Sequence, residues 1–504
     1  MTVKLPNGWA NAKLIDVADI LDFEREPINS SERNFRIEGK QESQLYAYYG
    51  ATGQVGWIDG YRSEGQRILL GEDGAPFLDS SKDKAYLVNG RFWVNNHAHV
   101  LQGADGLIDN RFLCYQLNMV DYQPFVSGST RLKLTNSAMK QIPLVLAPAK
   151  EQTRIVEKLE ELLSELDAGV AELKAAQKKL VQYRQSLLKV AVEGALSAEW
   201  RKTHQPEETG AQLLERILKQ RRANWEAKQL AKFQQQGKTP PKGWQDKYPE
   251  PVKPDTSDLP ALPEGWVWAS LDQLTEFITS GSRGWADYYA DKGATFIRSQ
   301  NINKDWLDLS DIAFVNPPRN SEGERTRVEQ NDLLLTITGA NVGKTALVNV
   351  QIEEVYVSQH VALIRLIDTR LSNYLHTFLT ALAGGRGQLD KEAYGAGKPG
   401  LNLQQVKSVF VPLLPNTERN FLMENLNLQF DAINEQFSHI KHLLKQSTAQ
   451  RKNILKSAFS GQLVPQDPND EPASVLLERI RNERQHAKIP AKRPRRRAGE
   501  ELTR

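Results

Sequence analysis

Cysteine and long apolar runs are scarce in this sequence, and each absence excludes a class of protein. The 504 residues contain one cysteine, Cys114, which excludes an internal disulfide framework and any metal site built from several cysteines. No segment reaches the roughly 18 consecutive apolar residues that a membrane-spanning helix needs. The first residues also lack the apolar core of a secretory signal. We therefore expect a protein of the reducing cytoplasm.

The net charge of the chain is unevenly distributed. The whole chain has a formal net charge of +3. Residues 481–504 hold nine lysines and arginines against three glutamates, so this segment carries +6 and the rest of the chain carries −3. A globally basic surface therefore cannot hold the chain on nucleic acid. Any such binding must come from local patches or from the charge of a partner.

What the sequence does contain is an internal duplication. Residues 5–9 (Leu-Pro-Asn-Gly-Trp) return as residues 262–266 (Leu-Pro-Glu-Gly-Trp). A second match ends each copy at a constant shift of 267 residues, pairing Arg184, Leu188, Lys189, Ala191, Gly194 and Leu196 with Arg451, Leu455, Lys456, Ala458, Gly461 and Leu463. Solenoid repeats have periods of roughly 20–50 residues. The duplication is therefore that of a whole module.

Each module consists of a head and a long helix. In the first head, short apolar runs at 66–70, 86–88, 92–94 and 100–101 predict strands. A heptad of leucines then predicts one helix over 151–193, roughly 64 Å long at about 1.5 Å per residue. A broader apolar stripe predicts its counterpart over about 417–460.

The predicted division of the chain follows from these patterns. It comprises a first head (1–150), a long helix (151–200), a charged helix with a proline-rich linker (201–261), a second head (262–415), a second long helix (416–465), and a helix with a basic, partly disordered tail (466–504).

Three motifs suggest chemistry, and each departs from the pattern that the chemistry needs. Gly339–Thr345 resembles a phosphate-binding loop but is one residue short, so a glycine turn between two strands is the better interpretation. Asn316-Pro317-Pro318-Arg319 lacks the aromatic residue of amino-methyltransferases. His97 and His99 have no third metal ligand at a matching spacing. We expect no catalysis by this chain.

Several loops carry the side chains that reach base edges and phosphates: arginine, lysine, asparagine, glutamine and small hydroxyls. Each loop alone is typical of any protein surface, but Arg131 and Lys398 recur at equivalent places before the two long helices. The candidate DNA-binding residues are Tyr48, Thr52, Gln54, Ser129, Thr130, Arg131 and Lys133 in the first head, and Arg298, Gln300, Asn301, Asn341, Lys344 and Lys398 in the second.

The architecture resembles the specificity subunit of type I restriction–modification enzymes over nearly the whole chain. The resemblance is carried by the two Leu-Pro-x-Gly-Trp openings, Tyr48-Tyr49-Gly50-Ala51-Thr52-Gly53, residues 92–100, residues 358–362, and the beginnings and ends of the two long helices. Glu418-Arg419 departs from the usual Glu-Gln at the start of the second helix. The combination is specific, whereas no single piece is.

The resemblance implies an α+β fold: two mixed α/β target-recognition domains separated by two long antiparallel coiled-coil helices, with a pseudo-twofold internal repeat. It implies that each domain reads one half of an asymmetric bipartite site in double-stranded DNA. Two methyltransferase subunits and two ATP-dependent translocase–nuclease subunits would be the partners. S-adenosylmethionine, ATP and magnesium would belong to those partners, and no cofactor to this chain. The apolar positions Leu187, Leu188, Ile454 and Leu455 are the expected methyltransferase contacts.

Two other classes of function stay open. A scaffold would use the leucine seam to dimerise and the heads to bind proteins. An enzyme, either a nucleotide hydrolase or a methyltransferase, would turn over substrate as an isolated chain. Duplicated heads with different loops fit two DNA half-sites better than a symmetric scaffold.

Overall fold

The computed structural model describes residues 5–104, 107–281, 284–303, 305–317, 325–351, 353–393 and 399–486. The chain divides into two compact units. Unit 1 comprises residues 1–174 and 440–504, and unit 2 comprises residues 175–439. Each unit contains one head, a part of both long helices, and the shorter helix that follows the other module.

The first head belongs to unit 1 and is built on two four-stranded sheets, with strand orders β2-β9-β6-β7 and β4-β3-β8-β5. Its strands are β1 (Ala10–Lys13), β2 (Ala18–Ile20), β3 (Tyr46–Gly50), β4 (Gly53–Ile58), β5 (Ser63–Glu64), β6 (Arg67–Gly71), β7 (Ala85–Val88), β8 (Arg91–Val94), β9 (Ala98–Gly103), β10 (Val126–Ser127), β11 (Lys133–Leu134) and β12 (Pro143–Leu146). Its helices are α1 (Leu14–Val17), α2 (Ser30–Ile37), α3 (Asn110–Met119) and α4 (Asn136–Lys140). The four predicted strands of this head are confirmed as β6 to β9.

The two predicted long helices are also confirmed. They are α5 (Ala149–Val192) and α12 (Asn416–Phe459), each of 44 residues. In unit 1, Asp167 of α5 pairs with Arg451 of α12, and Arg154, earlier in α5, pairs with Asp470, which follows α12. Residues earlier in α5 therefore contact residues later in the sequence around the end of α12. In unit 2, Tyr183 lies 3.4 Å from Gln429. The part of α5 in unit 1 and the residues at the end of α12 therefore run antiparallel.

The second head lies in unit 2, after α6 (Ala198–Thr203) and α7 (Gly210–Gln235). Its strands are β13 (Val267–Ser270), β14 (Thr275–Ser280), β15 (Tyr289–Ala290), β16 (Ala294–Ile297), β17 (Ile302–Asn303), β18 (Trp306–Leu307), β19 (Ala313–Val315), β20 (Leu333–Thr336), β21 (Thr345–Leu347), β22 (Val355–Val357), β23 (Val361–Leu366) and β24 (Phe410–Leu413). Its helices are α8 (Leu271–Leu274), α9 (Ser372–Thr380), α10 (Gly385–Glu392) and α11 (Leu403–Lys407), and α13 (Ala473–His486) follows α12 in unit 1.

The two heads have the same central strand arrangement and differ in the edge strand of one sheet. The order β14-β23-β20-β21 repeats the order β2-β9-β6-β7 of the first head. In the other sheet both heads contain a parallel pair, β3 with β8 and β16 with β22. The additional edge strand joins different neighbours, because β5 pairs with β8 whereas β15 pairs with β19. The duplication therefore conserves the framework and changes the periphery.

The helix that follows each module in the sequence completes the core of the other module's head. In unit 1, Leu476 and Ile480 of α13 are buried in the core of the first head, and in unit 2, Leu213 and Ile217 of α7 are buried in the core of the second. The backbone contacts repeat as well. The amide of Ala473 donates to the carbonyl of Gly8, and the amide of Gly210 donates to that of Gly265, each at 2.7 Å.

The Leu-Pro-x-Gly-Trp openings owe their recurrence to packing. In unit 2, Trp266 Nε1 donates to the buried carboxylate of Glu418 at 2.8 Å. A Cβ on Gly194 would lie 2.6 Å from Pro263 Cγ, and one on Gly461 would lie 2.4 Å from Pro6 Cγ in unit 1. Both glycines also have positive φ values, 76° and 69°. Only glycine therefore fits at these two positions, which follow the C-terminal ends of the long helices.

Candidate nucleic-acid interface

The hairpin of β3 and β4 carries the first candidate residues. Thr52 and Gln54 are exposed at and beside its tip. Tyr48 is only 2% exposed, and its hydroxyl accepts the amide of Ile28 at 3.2 Å. The expectation of a DNA contact is therefore corrected for Tyr48, because its ring supports the hairpin from beneath the surface.

Arg131 and His97 share one carboxylate. Arg131 Nη2 lies 2.7 Å from Asp73 Oδ1, and His97 Nδ1 lies 2.6 Å from the same oxygen. The side chain of Arg131 is still 60% exposed. Ser129 and Thr130 are exposed in the turn that leads to it, which begins at Gly128 with a φ of 105°. The carboxylate thus orients the guanidinium while leaving most of its surface available to a ligand.

Lys133 lies above a more deeply buried polar network. Its ammonium is 3.1 Å from Glu72 Oε1, and Glu72 also pairs with Arg25. Beneath them, His99 is fully buried between Asp22 and the carbonyl of Leu134. Burial acts to raise the pKa of Asp22, but the hydrogen bond from His99 and the nearby positive charges outweigh it and lower that pKa. His99 is thus a hydrogen-bonded core residue.

These loops form one continuous surface in unit 1. A Cβ on Gly71 would lie 3.1 Å from the carbonyl of Ala51, so the hairpin tip lies against the turn that carries Asp73. The amide of Glu72 donates to the carbonyl of His97 at 2.7 Å, which joins the third loop. We call the exposed part of this region the first loop surface; it comprises Thr52, Gln54, His97, Ser129, Thr130, Arg131 and Lys133.

In the second head, Arg298 and Gln300 both bind Asp311. Arg298 Nη2 donates to the carbonyl of Asp311 at 2.9 Å, and Gln300 Nε2 donates to its carboxylate at 2.9 Å. Asn301 is 2% exposed, and its amide donates to the carbonyls of Asp308 and Asp311. The expectation for Asn301 is therefore corrected, since its side chain holds the loop from inside.

The glycine-rich segment Gly339–Thr345 is a hairpin turn between β20 and β21, as its sequence predicted. Gly339 and Gly343 have φ values of 104° and 80°. Asn341 Nδ2 donates to the carbonyl of Ser299 at 3.2 Å, which brings this turn against the Arg298 loop. Lys344 is half-buried in the same turn. Arg298, Gln300, Asn341 and Lys344 define the second loop surface.

Two of the sequence motifs extend beyond the described residues. Lys398 lies outside them, although the flanking amide–carbonyl bond from Gly339 to Pro399, at 3.1 Å, places the adjacent chain beside the second loop surface. Pro318 and Arg319 of the proline motif lie outside them as well, as does the tail after His486.

Sequence patterns missed two exposed tryptophans. Trp57 on β4 is 41% exposed, and Trp306 on β18 is 57% exposed. Both lie on short strands, where alternate side chains point to opposite faces, so their exposure depends on register. Their indole rings add flat apolar surfaces that the polar candidate set lacked.

Three of the four expected partner contacts are buried inside the units. Leu187 and Leu188 are 8% and 2% exposed in the core of unit 2, and Ile454 is 8% exposed in unit 1. These three expectations are corrected, because the side chains already pack within the chain. Leu455 is half-buried and lines a cavity of about 630 Å³, whose rim includes the exposed Leu78 and Leu87.

The described residues contain neither a membrane-spanning helix nor a metal-binding cluster. None of their helices is long and apolar enough to cross a membrane. None of their histidine, cysteine, aspartate and glutamate side chains form a group of three or more that could hold a metal ion.

Comparison with known proteins finds relatives of one class by sequence. Residues 6–175 match the family model of the type I restriction modification DNA specificity domain. A Haemophilus influenzae protein assigned as a type I restriction enzyme specificity subunit is 37% identical over 149 residues, which cover 30% of this chain and 36% of that protein. The EcoBI specificity subunit of Escherichia coli, from a type I restriction enzyme, is 22% identical over 511 residues, covering 96% of this chain and 94% of that subunit.

A solved structure extends the similarity to the fold. A chain from a study of complex assembly and conformational transition in a type I restriction–modification system superimposes with a TM-score of 0.60 at 16% identity. The superposition covers 91% of this chain and 99% of that one. The chain is thus similar in sequence to type I restriction–modification specificity subunits, and its fold is similar to that of the solved chain.

Proposed function

We propose that this chain is the DNA-recognition subunit of a type I restriction–modification complex. Each head reads one half of an asymmetric, bipartite site in double-stranded DNA. The long helices set the spacing of the halves and dock two methyltransferase subunits, with two restriction–translocation subunits completing the complex. The match of residues 6–175 to the type I restriction modification DNA specificity domain supports the DNA-recognition role.

One observation carries the proposal: the same framework supports two chemically different loop surfaces. The first loop surface contains Arg131 and Lys133 as exposed cations held by carboxylates. The second contains the carboxamides of Gln300 and Asn341 beside Arg298 and Lys344. Arginine suits guanine in the major groove, whereas asparagine and glutamine suit adenine. Two such surfaces fit two different half-sites, and a symmetric scaffold has no need for the difference.

Catalysis belongs to the partners in this proposal. S-adenosylmethionine would be bound by the methyltransferase subunits, and ATP and magnesium by the restriction–translocation subunits. What the residues of this chain supply is position, because phosphate contacts fix the register on the duplex and base-edge contacts select the sequence.

The test is long-read sequencing of methylated bases in the host, with and without this chain. We expect deletion to abolish one bipartite methylated motif and leave all others. A catalytically silent complex is distinguished by co-expressing the chain with a type I methyltransferase subunit of the same host. If no bipartite motif appears in that strain either, and native mass spectrometry finds no methyltransferase bound to the chain, the proposal is wrong.

A further inference from the structure

Residues 222–248 form a basic arm that is not part of either loop surface. Arg221 is the last residue of α7 that is buried in unit 2, at 9% exposure. After it, residues 222–248 contain six lysines and arginines against two acidic residues, a net charge of +4. The arm comprises the last turns of α7 and the segment that returns beside them.

Aromatic side chains hold the two parts of the arm together. The ring of Trp225 lies 5.8 Å from that of Trp244 and 5.4 Å from that of Tyr248, and Phe233 lies 6.1 Å from Trp244. Gly237 makes the reversal with a φ of 62°, and the amide of Lys238 donates to the carbonyl of Phe233. The return segment is therefore packed antiparallel to α7.

The base of the arm is fixed to the second head. Arg221 donates to the carbonyls of Thr275 and Pro249 at 3.0 Å each and to the hydroxyl of Tyr248 at 2.6 Å. Two helical turns later, Lys228 pairs with Glu276 and lies 5.9 Å from the ring centroid of Phe277. The helix thus passes β14 in the direction in which β14 itself runs.

That direction leads toward the second loop surface. Ser280 at the end of β14 pairs with Ala362, and Ala362 pairs with Leu335 at the end of β20. The turn with Asn341 and Lys344 follows β20 directly. Because α7 rises about 1.5 Å per residue, its seven residues after Lys228 extend roughly 10 Å farther along this edge.

Four lysines of the arm are available to a ligand. Lys232, Lys238, Lys242 and Lys247 are exposed. Within the described ranges, no carboxylate pairs with any of them, whereas Arg222 and Lys228 have glutamate partners at Glu226 and Glu276. Unpaired ammonium groups on long side chains suit phosphate oxygens, which they contact as point charges without reading sequence.

The second module repeats the charge at the equivalent place. In unit 1, Arg484 of α13 donates to the carbonyl of Ala18 at 2.9 Å, as Arg221 does to that of Thr275 in unit 2. The sequence after α13, residues 487–504, then contains seven lysines and arginines against two glutamates. The head-packing parts of α7 and α13 are therefore both followed by strongly positive sequence, although the two sequences are unrelated.

We propose that the basic arm binds the phosphate backbone of the DNA duplex beside the second head and adds sequence-independent affinity. This inference rests on the proposed function, because it takes the same duplex as its ligand. It adds a third contact region, one that carries no base specificity.

The test replaces Lys232, Lys238, Lys242 and Lys247 with glutamine in the full chain, purified with any subunits that co-purify. The matched control replaces the same four residues with arginine, which keeps the charge. Binding to a random-sequence duplex is measured over a range of salt concentrations. We expect the slope of log affinity against log salt to fall by about 0.9 for each lysine that contacts a phosphate, and so by up to about 3.6 in the glutamine variant. The arginine variant should keep the wild-type slope. Near-ultraviolet circular dichroism of the Trp225–Trp244 pair reports whether the arm stays folded.

The possible outcomes separate this inference from the proposed function. An unchanged slope in a folded glutamine variant overturns the inference, even if the wild type recognises a bipartite motif. A reduced slope on random DNA supports the arm, even if no motif is found and the proposed function fails. Loss of a co-purifying subunit with an unchanged slope would assign the arm to a protein partner and would also overturn the inference.

Discussion

At the scale of the residue, carboxylates have different roles at the surface and in the interior. Asp73 orients Arg131 at the surface, where the guanidinium stays available to a ligand. Glu418 is 1% exposed and binds Trp266, Ser197 and Arg201 inside unit 2. Its counterpart Glu151 in unit 1 is equally buried, but its Oε1 has no hydrogen-bond partner. The surface carboxylate and the two buried glutamates lead to separate predictions.

Arg131→Ala should weaken recognition of one half-site only. A bidentate arginine–base contact contributes about 1–3 kcal/mol of discrimination, so we expect a loss of that size at one base position. Competition binding with duplexes mutated in either half measures it. Arg91→Ala is the matched control, since Arg91 is also exposed and paired with a glutamate but begins β8, at the end away from the loops. Equal relaxation of both halves would contradict the assignment of one head to one half-site.

Asn341→Ala makes the same prediction for the second loop surface. Its carboxamide is half-exposed and donates one hydrogen bond to the Ser299 carbonyl. The half-site that Arg131→Ala leaves intact should be the one that loses discrimination, again by about 1–3 kcal/mol. The double variant should lose both halves additively, because the two residues lie in different units.

The two buried glutamates should respond oppositely to removal of their charge. Burial raises the pKa of Glu151, so the folded state holds that proton more tightly than the unfolded chain. Stability is therefore lost as the pH rises from the usual glutamate range through the raised pKa, and Glu151→Gln should remove this loss. Glu418→Gln should instead cost about 1–3 kcal/mol near neutral pH, because it breaks a satisfied charged network. Urea unfolding between pH 4 and 8 measures both; a destabilised Glu151→Gln variant at pH 8 would contradict the argument.

At the scale of the element, the spacing of apolar residues predicted the long helices and several strands of the first head. The leucine heptad placed the first long helix at 151–193, and α5 spans Ala149–Val192. The strands β6 to β9 follow the short apolar runs, because buried strands need them. Periodicity did not predict that Tyr48 lies beneath its hairpin, since a shift of one residue exchanges the faces of a strand. Nor did it predict that Leu187 and Leu188 are covered by the core of unit 2, because that contact joins segments distant in sequence.

Gly169→Ala should stabilise α5. A Cβ at this position would meet no atom within 4 Å, and alanine exceeds glycine in helix propensity by up to about 1 kcal/mol. Thermal unfolding measures the gain. Gly194→Ala serves as the contrasting variant, because its φ of 76° and its approach to Pro263 both oppose a side chain. A stabilised Gly194→Ala protein would show that the stop after α5 does not depend on glycine.

At the scale of the whole molecule, the proposed function assigns charge and specificity to different parts of the sequence. The chain without residues 481–504 carries −3, and the positive charge outside the heads is concentrated in the basic arm and in the C-terminal residues. Recognition of sequence needs few, oriented side chains, whereas attraction to phosphate needs only charge. The loop surfaces and the basic segments can therefore change independently.

Removal of residues 488–504 should leave the recognised motif intact. These residues carry a net charge of +5 and lie outside both heads. We expect weaker binding with a shallower salt dependence on all duplexes and no change in the methylated motif. Methylome sequencing of the truncated strain measures the motif, and a changed motif would mean that the tail contacts bases.

The helix that completes each head follows the other module in the sequence, and this order has a consequence for synthesis on the ribosome. Unit 2 is continuous in sequence, so it is complete once residue 439 has emerged. The first head has its last strand at Leu146 but needs Leu476 and Ile480 to close its core. At about 5–20 residues per second, it must wait on the order of 20–60 s for them. The head made first is thus the one finished last, and a nascent chain truncated before α13 would expose apolar surface to chaperones from its N-terminal end.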